Sequence, residues 1–206
     1  MSIKLNGATS GSVELDVPDA IGSDIGFTLP GADGSTGQVL ATNGSGGLSF
    51  VNALTEFDMW VLTDNRTSDG TITAVSRVAR PLSASQIGTG MSESSGIFTF
   101  PRTGKWLVIC SFNTDITPAD SVGILTEVSS NSGSTWVLHA QSYDGQNAST
   151  GSNRRGNATG ISFIDVTDVG TFRVKFTANS LNSGSLIIGS TTSIETSFTF
   201  IRLGDT

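Results

Sequence analysis

A chain of 206 residues with 25 glycines, a formal net charge of −7 and one cysteine has room for one sizeable domain and a smaller piece. Its acidity argues against a nucleic acid partner, which needs clustered lysine and arginine, and against an anionic membrane surface; one cysteine cannot form an internal disulfide. Glycine, serine, threonine and asparagine are abundant and no segment carries a helical apolar period, so the expected class is all-β.

The N-terminal MSIKLNGATSGS has neither the basic start nor the apolar core of a signal peptide. Nothing approaches the roughly 18 apolar residues of a membrane span. Synthesis in a cytoplasm is therefore expected. Up to Leu54 there is one lysine, Lys4, against five acidic residues, and only two of the eleven phenylalanines, Phe27 and Phe50. Apolar residues come in short groups: Val13, Leu15 and Val17, then Ile25, Phe27 and Leu29, then Val39 and Leu40, then Leu48 and Phe50. Gly, Asp, Asn and Pro separate them. GQVLATNGSGGLSFV reads as a hairpin around an Asn-Gly-rich turn. So small a β segment buries no core by itself; it needs copies of itself or a surface to lie on. Residues 1–54 are thus expected to form an attachment region, with Val13, Leu15, Phe27, Leu29, Val39, Leu40, Leu48 and Phe50 as its contacts.

From residue 55 to 206 the strands lengthen and aromatics become dense. Strands are predicted at Phe57–Leu62, Thr71–Val78, Gly96–Phe100, Lys105–Asn113, Val122–Ser129, Thr135–Ser142, Ala158–Val166, Thr171–Ala178, Ser185–Gly189 and Ile194–Leu203. Such spacing suits an antiparallel β-sandwich or jelly roll. In TFRVKF, Phe172, Val174 and Phe176 face one way and Arg173 and Lys175 the other, as in a strand with one wet face. KWLVICSF differs. Trp106, Val108, Cys110 and Phe112 share one face, yet Leu107 and Ile109 make the opposite face apolar as well. A strand greasy on both sides is covered on both sides, and in a two-sheet sandwich a sister subunit is the expected second cover. SFTFIRL repeats the pattern: Phe198, Phe200 and Arg202 on one parity, Ile201 and Leu203 on the other. Phe98, Phe100, Trp106, Val108, Cys110, Phe112, Phe198 and Phe200 are taken together as the core and trimer strands.

No catalytic, metal or cofactor constellation emerges. Cys110 lies mid-strand among apolar neighbours, where burial raises a thiol pKa, so it reads as a core residue. His139 is the only histidine, too few for a multi-histidine metal site within one chain. Asp64 and Asp69 lack calcium-loop spacing; Asp165 and Asp168 flank a turn. The stretch from Tyr143 to Arg155, with Asp144, Asn147 and Arg154, reads as a long polar loop and a candidate host-contact site.

GIFTFPRTGKWLVICSFN resembles a strand pair of the trimeric jelly rolls of the complement globular-head and tumour necrosis factor type, carried by Gly96, Phe98, Pro101, Gly104 and Trp106. SIETSFTFIRLGD resembles the last strand of those domains. GATSGSVELDVP and FTLPGADGSTGQVLATNGSGGLSFV resemble the β repeats of bacteriophage virion appendages, through Ser10, Gly11, Ser12, Val13, Leu15 and Pro18, then Leu29, Pro30, Asp33, Gly34, Gly37, Gln38, Val39, Leu40, Gly44, Gly46, Leu48, Ser49 and Phe50. Together the resemblances imply a homotrimeric, non-enzymatic phage virion protein. It would be a capsid decoration, cement or head-fibre protein, gripping the major capsid protein or another virion protein through its N-terminal part. The alternative is a short tail fibre or adhesin that recognises a host surface glycan. A hydrolase on a β scaffold lacks a nucleophile–base pair.

Overall fold

The computed structural model describes residues 3–6, 9, 11–15, 22–77, 86–147 and 150–206. The chain divides into two compact units, Met1–Ala53 and Leu54–Thr206, and the described residues of both form strands and turns without a helix.

In the N-terminal unit, β1 (Ile3–Asn6) pairs antiparallel with β2 (Ser12–Leu15). The expected hairpin is present as β3 (Gln38–Thr42) and β4 (Leu48–Asn52), with Gln38 opposite Asn52 and Thr42 opposite Leu48. Asn43 builds its turn. The carboxamide oxygen accepts the backbone N–H groups of Ser45 at 2.8 Å and Gly47 at 2.9 Å. Gly44 and Gly46 hold φ of 78° and 86°, a region that glycine enters without a Cβ penalty. Thr28 docks beside this turn, donating to the Gly46 carbonyl at 2.8 Å and accepting from Leu48 at 2.9 Å.

The larger unit contains β5 (Phe57–Leu62), β6 (Gly70–Thr71), β7 (Val75–Arg77), β8 (Gln86–Ile87), β9 (Ser92–Ser94), β10 (Ile97–Thr99), β11 (Gly104–Ile116), β12 (Ser121–Ser129), β13 (Val137–Gly145), β14 (Arg154–Val166), β15 (Arg173–Asn179), β16 (Leu186–Ile187) and β17 (Ser197–Gly204). They make two antiparallel sheets. One has the order β13-β12-β15-β10-β9, with β6 also on β15; the other has β14-β11-β17-β5-β7, with β16 on β11 and β8 on β5. After β11 the chain crosses to the first sheet for β12 and β13, returns for β14, crosses again for β15 and closes with β17. That alternation winds a jelly-roll sandwich.

Phenylalanines from both sheets fill the core. Phe176 of β15 stacks on Phe198 of β17 with ring centroids 4.2 Å apart. Phe98 of β10 meets Phe200 at 5.1 Å and, edge-on, Trp60 at 5.4 Å. Phe100 lies 5.2 Å from Trp106. Interdigitated aromatics of this kind contribute beyond the apolar area they bury.

One predicted strand is corrected, three strands were not predicted, and one is irregular. Thr71–Val78 is not one strand: β6 belongs to the first sheet and β7 to the second, and the chain crosses between them with Ile72 buried; Val78 lies outside the described residues. β1, β8 and β9 were not predicted; β8 and β9 carry no apolar alternation, whereas β1 alternates Ile3 and Leu5 with Lys4 and Asn6. On β13 the simple face alternation fails, because a bulge sets Ala140 against Thr126 but Leu138 against Glu127. His139 is the extra residue, and Val137, Leu138 and His139 are all exposed.

Candidate assembly interface

The sheet β14-β11-β17-β5 has two unlike faces. Along β11 burial alternates residue by residue. Trp106, Val108, Cys110 and Phe112 point into the sandwich and are almost wholly buried. The opposite face carries two cross-strand rows. One runs Phe163, Leu107, Ile201, Phe57, and the next Ile161, Ile109, Thr199, Met59. Seven of these eight residues are apolar; Ile161 and Phe163 are exposed, the other five apolar residues are half-buried, and Thr199 is buried.

Strand β14 makes the contrast sharpest. Its core-facing positions are Gly160, Ser162, Ile164 and Val166, while Ile161 and Phe163 face outward, 63% and 53% exposed. The buried Ser162 hydroxyl has no hydrogen-bond partner among the described residues. Larger apolar side chains thus face water while a serine occupies the core side. A solvated sheet face should show the reverse. An exposed apolar patch of this kind marks an interaction surface. Fully burying a large aliphatic or aromatic side chain contributes about 1.5–3 kcal/mol, so a partner over these rows would gain most at the exposed Ile161 and Phe163 and a fraction of such a term at each half-buried neighbour.

Further along the same face the rows turn polar. Ser111 lies opposite Thr159, Asn113 opposite Asn157, and Asp115 opposite Arg155. The Asn113 amide donates to Glu195 at 2.8 Å. That bond, a second from Ser193 and the charge of Arg155 hold the Glu195 carboxyl below its ordinary pKa. At the other end Lys105 pairs with Asp165 at 3.0 Å. The patch is therefore apolar in the middle and bounded by polar groups at both ends, the pattern of a protein–protein contact.

All eight residues taken as core and trimer strands, Phe98, Phe100, Trp106, Val108, Cys110, Phe112, Phe198 and Phe200, lie inside the sandwich of one chain. They lie behind the outward face and are not among its exposed rows. Burial pushes the Cys110 thiol pKa well up, which keeps it protonated and poorly nucleophilic. Of the attachment residues, Phe27, Leu29, Val39, Leu40 and Phe50 are exposed in the N-terminal unit and Leu48 is half-buried. Val13 and Leu15 lie on β2, and their side chains are outside the described residues.

The host-contact loop needs correction. Tyr143 and Asp144 belong to β13, and Arg154 and Arg155 to β14; only 146–153 connects them, and 148 and 149 of it lie outside the described residues. Arg154 is tied to Asp144 at 3.0 Å and to the Gly145 carbonyl. Arg155 lies on the opposite face of β14. The five residues do not form one surface.

One cluster escaped the sequence reading. Glu56 and Asp58 are buried beneath the 88–91 segment. Arg77 grips Asp58 through two bonds of 2.8 and 2.9 Å, and Arg102 reaches Glu56 at 2.7 Å. Asp58 also accepts the Met91 N–H at 2.7 Å and the Trp60 indole at 2.9 Å, while Glu56 accepts the Gly90 N–H at 3.0 Å. Gly88 and Gly90 have φ of 75° and 70°, and a Cβ at Gly90 would stand 2.8 Å from the Asp58 carboxylate. Each carboxylate is matched by a guanidinium and an amide, so the cluster clamps a segment onto β5 and offers no free acid or base. Its signal was the alternation EFDMW, which puts two charges on the parity of Trp60. Among the described residues no group of three or more His, Cys, Asp or Glu could hold a metal.

No family model matches the sequence, and no curated protein matches it. Solved structures do match in shape. Eiger TNF from S. frugiperda aligns at a TM-score of 0.58 and 7% identity, over 75% of this chain and 96% of that one. Murine APRIL, crystallised at pH 5.0, aligns at 0.52 and 9%, over 72% and 98%. The larger unit is a TNF-like jelly roll. At such identity the likeness concerns the fold alone.

Proposed function

We propose that the chain is a non-enzymatic structural protein of a bacteriophage virion: a homotrimeric capsid decoration or head-fibre protein whose N-terminal unit grips the shell and whose jelly roll trimerises on its outer side. The observation that carries the reading is the outward apolar face in which exposed Phe163 and Ile161 adjoin half-buried Leu107, Ile201, Phe57, Ile109 and Met59. A closed three-fold arrangement hides this surface three times over without leaving a growing end. Function would then be mechanical: trimers seated between capsid subunits tie neighbours together and stiffen the shell against internal pressure.

The N-terminal unit supports the attachment role. Phe27 and Leu29 are 64% and 71% exposed, and its strands are too few to enclose them. Its wording is the part of the sequence that resembles phage appendages. The major capsid protein or another virion protein is the partner this implies, and the virion surface is the location.

Two measurements test the reading. Light scattering of the purified protein should give the mass of three chains; a stable monomer in which the Phe163 row remains wetted overturns the assembly claim. Gold labelling of intact virions should decorate the head. Label confined to the tail tip would replace the decoration role with a tail-fibre role, and absence of label from virions would remove the phage assignment.

A further inference from the structure

At one end of the sandwich a recess of about 570 Å³ opens between the β11–β12 turn, the start of the 146–153 connection and the segment after β15, lined by Asp120, Gln146, Asn147, Ser180 and Asn182 among others. We propose that it binds a neutral saccharide, with Tyr143 as the aromatic wall beside it. The inference is independent of trimerisation and of any place on a virion, so its failure would leave that reading standing.

The residues are positioned before any ligand arrives. Asp120 is only 7% exposed, yet no cation pairs with it among the described residues. Neutral donors hold it instead: the Asn182 amide and Ser185 hydroxyl, each at 2.5 Å, and the Ser121 N–H at 2.8 Å. Gln146 is likewise 7% exposed. Its amide nitrogen donates to the Ser152 carbonyl at 3.3 Å, but its side-chain oxygen meets no donor among the described residues. Such an orphan acceptor costs stability unless something supplies a proton to it. Ala119 and Ser180, both lining the recess, hold φ of 60° and 65°, strain of the sort that accumulates at binding sites.

Chemistry selects the ligand class. Among the described residues, the lining offers a carboxylate, carboxamides and two hydroxyls, all able to accept O–H groups, and no guanidinium or ammonium. That disfavours phosphate, sulfate and acidic sugars and suits vicinal hydroxyls. Tyr143 supplies the apolar half. Its ring lies flat on β12 because position 123 is glycine: a Cβ there would stand 2.4 Å from the ring. The ring is 43% exposed, and its hydroxyl donates to Asn179 at 2.7 Å, the same oxygen that accepts the Ser180 hydroxyl. The aromatic wall and the polar recess are thus joined by one hydrogen-bond chain. A pyranose has an apolar C–H face and an edge of hydroxyls, which is the complement of this pair.

The test uses the whole chain. Glucose, galactose, mannose, N-acetylglucosamine and lactose are titrated singly while the side-chain amide NMR signals of Gln146 and Asn182 are followed. At least one sugar should shift both signals saturably, in the millimolar range expected of a single monosaccharide. Tyr143→Ala should weaken that binding about tenfold with the melting temperature held, by removing the wall. Gln146→Leu should abolish it while holding or raising the melting temperature, because the orphan oxygen is gone. Absence of a saturable shift with every sugar, shifts that survive both substitutions, or the same shifts from calcium chloride alone would each overturn the proposal.

Discussion

Phe27 and Phe98 are the same side chain in opposite circumstances. Phe27 sits in a unit of short paired strands and stands mostly in water; Phe98 sits between two sheets, touching Trp60, Phe176, Phe198 and Phe200. Apolar residues occur in both units, and what differs is whether enough strands surround them. The larger unit encloses its own core and has apolar surface left over on one sheet face. Among the described residues of the N-terminal unit, Ile25, Phe27, Leu29, Val39, Leu40 and Phe50 stay exposed. Stability of the single chain therefore belongs to the larger unit, and under the proposed function association falls to the outer sheet face and the N-terminal unit.

Substitutions can break that division, the largest effect first. Trp106→Ser should lower the stability of the jelly roll by about 3–5 kcal/mol in chemical denaturation, the cost of emptying an aromatic site in a packed core. Near-native stability would mean that the core is not where the structure puts it. Asp58→Ala removes the partner of Arg77 and strands the Met91 and Trp60 donors. The loss should be about 2–3 kcal/mol, smaller than for a sealed ion pair because solvent reaches Arg77.

The outer face should behave otherwise. Phe163→Asp should leave the fold of one chain within about 0.5 kcal/mol while reducing the particle mass to that of one chain. If the mass is unchanged, association does not use this face. Phe27→Ser should leave jelly-roll melting unaltered, also within about 0.5 kcal/mol, yet reduce binding of the protein to virions lacking it; undiminished binding would take attachment away from the N-terminal unit.

The smallest effect concerns acid. Glu195 has a depressed pKa, chiefly from the Asn113 hydrogen bond. Its contribution is complete above the ordinary carboxylate pKa and is lost as pH falls through the depressed value. Glu195→Gln should therefore show a slightly flatter acid limb in a plot of melting temperature against pH, and an unchanged limb would show that the bond carries no weight.

Strand content and most strand positions were legible, because apolar residues alternating on two-residue spacing between Gly, Asn and Asp turns are a local signal. Phe57–Leu62 was placed to the residue. Where the signal was absent, as in Gln86–Ile87 and Ser92–Ser94, backbone pairing alone makes the strand. The candidate interface was half legible. Leu107, Ile109, Ile201 and Leu203 declared themselves by breaking alternation. Ile161 and Phe163 did not, because alternation in GISFID would assign them inward, and only their partners across β11 reveal that they face out.

The local order of side chains by itself determined an all-β chain, the Asn43 hairpin and the two-faced character of the central strand, since each depends on neighbours a few positions apart. Tertiary structure alone decided which parity of β14 is the inside, which acids are clamped by arginine, and that Asp120, Gln146 and Asn182 meet at one recess. Those depend on strands brought together from distant parts of the chain, and no periodicity within one strand records which partner lies across from it.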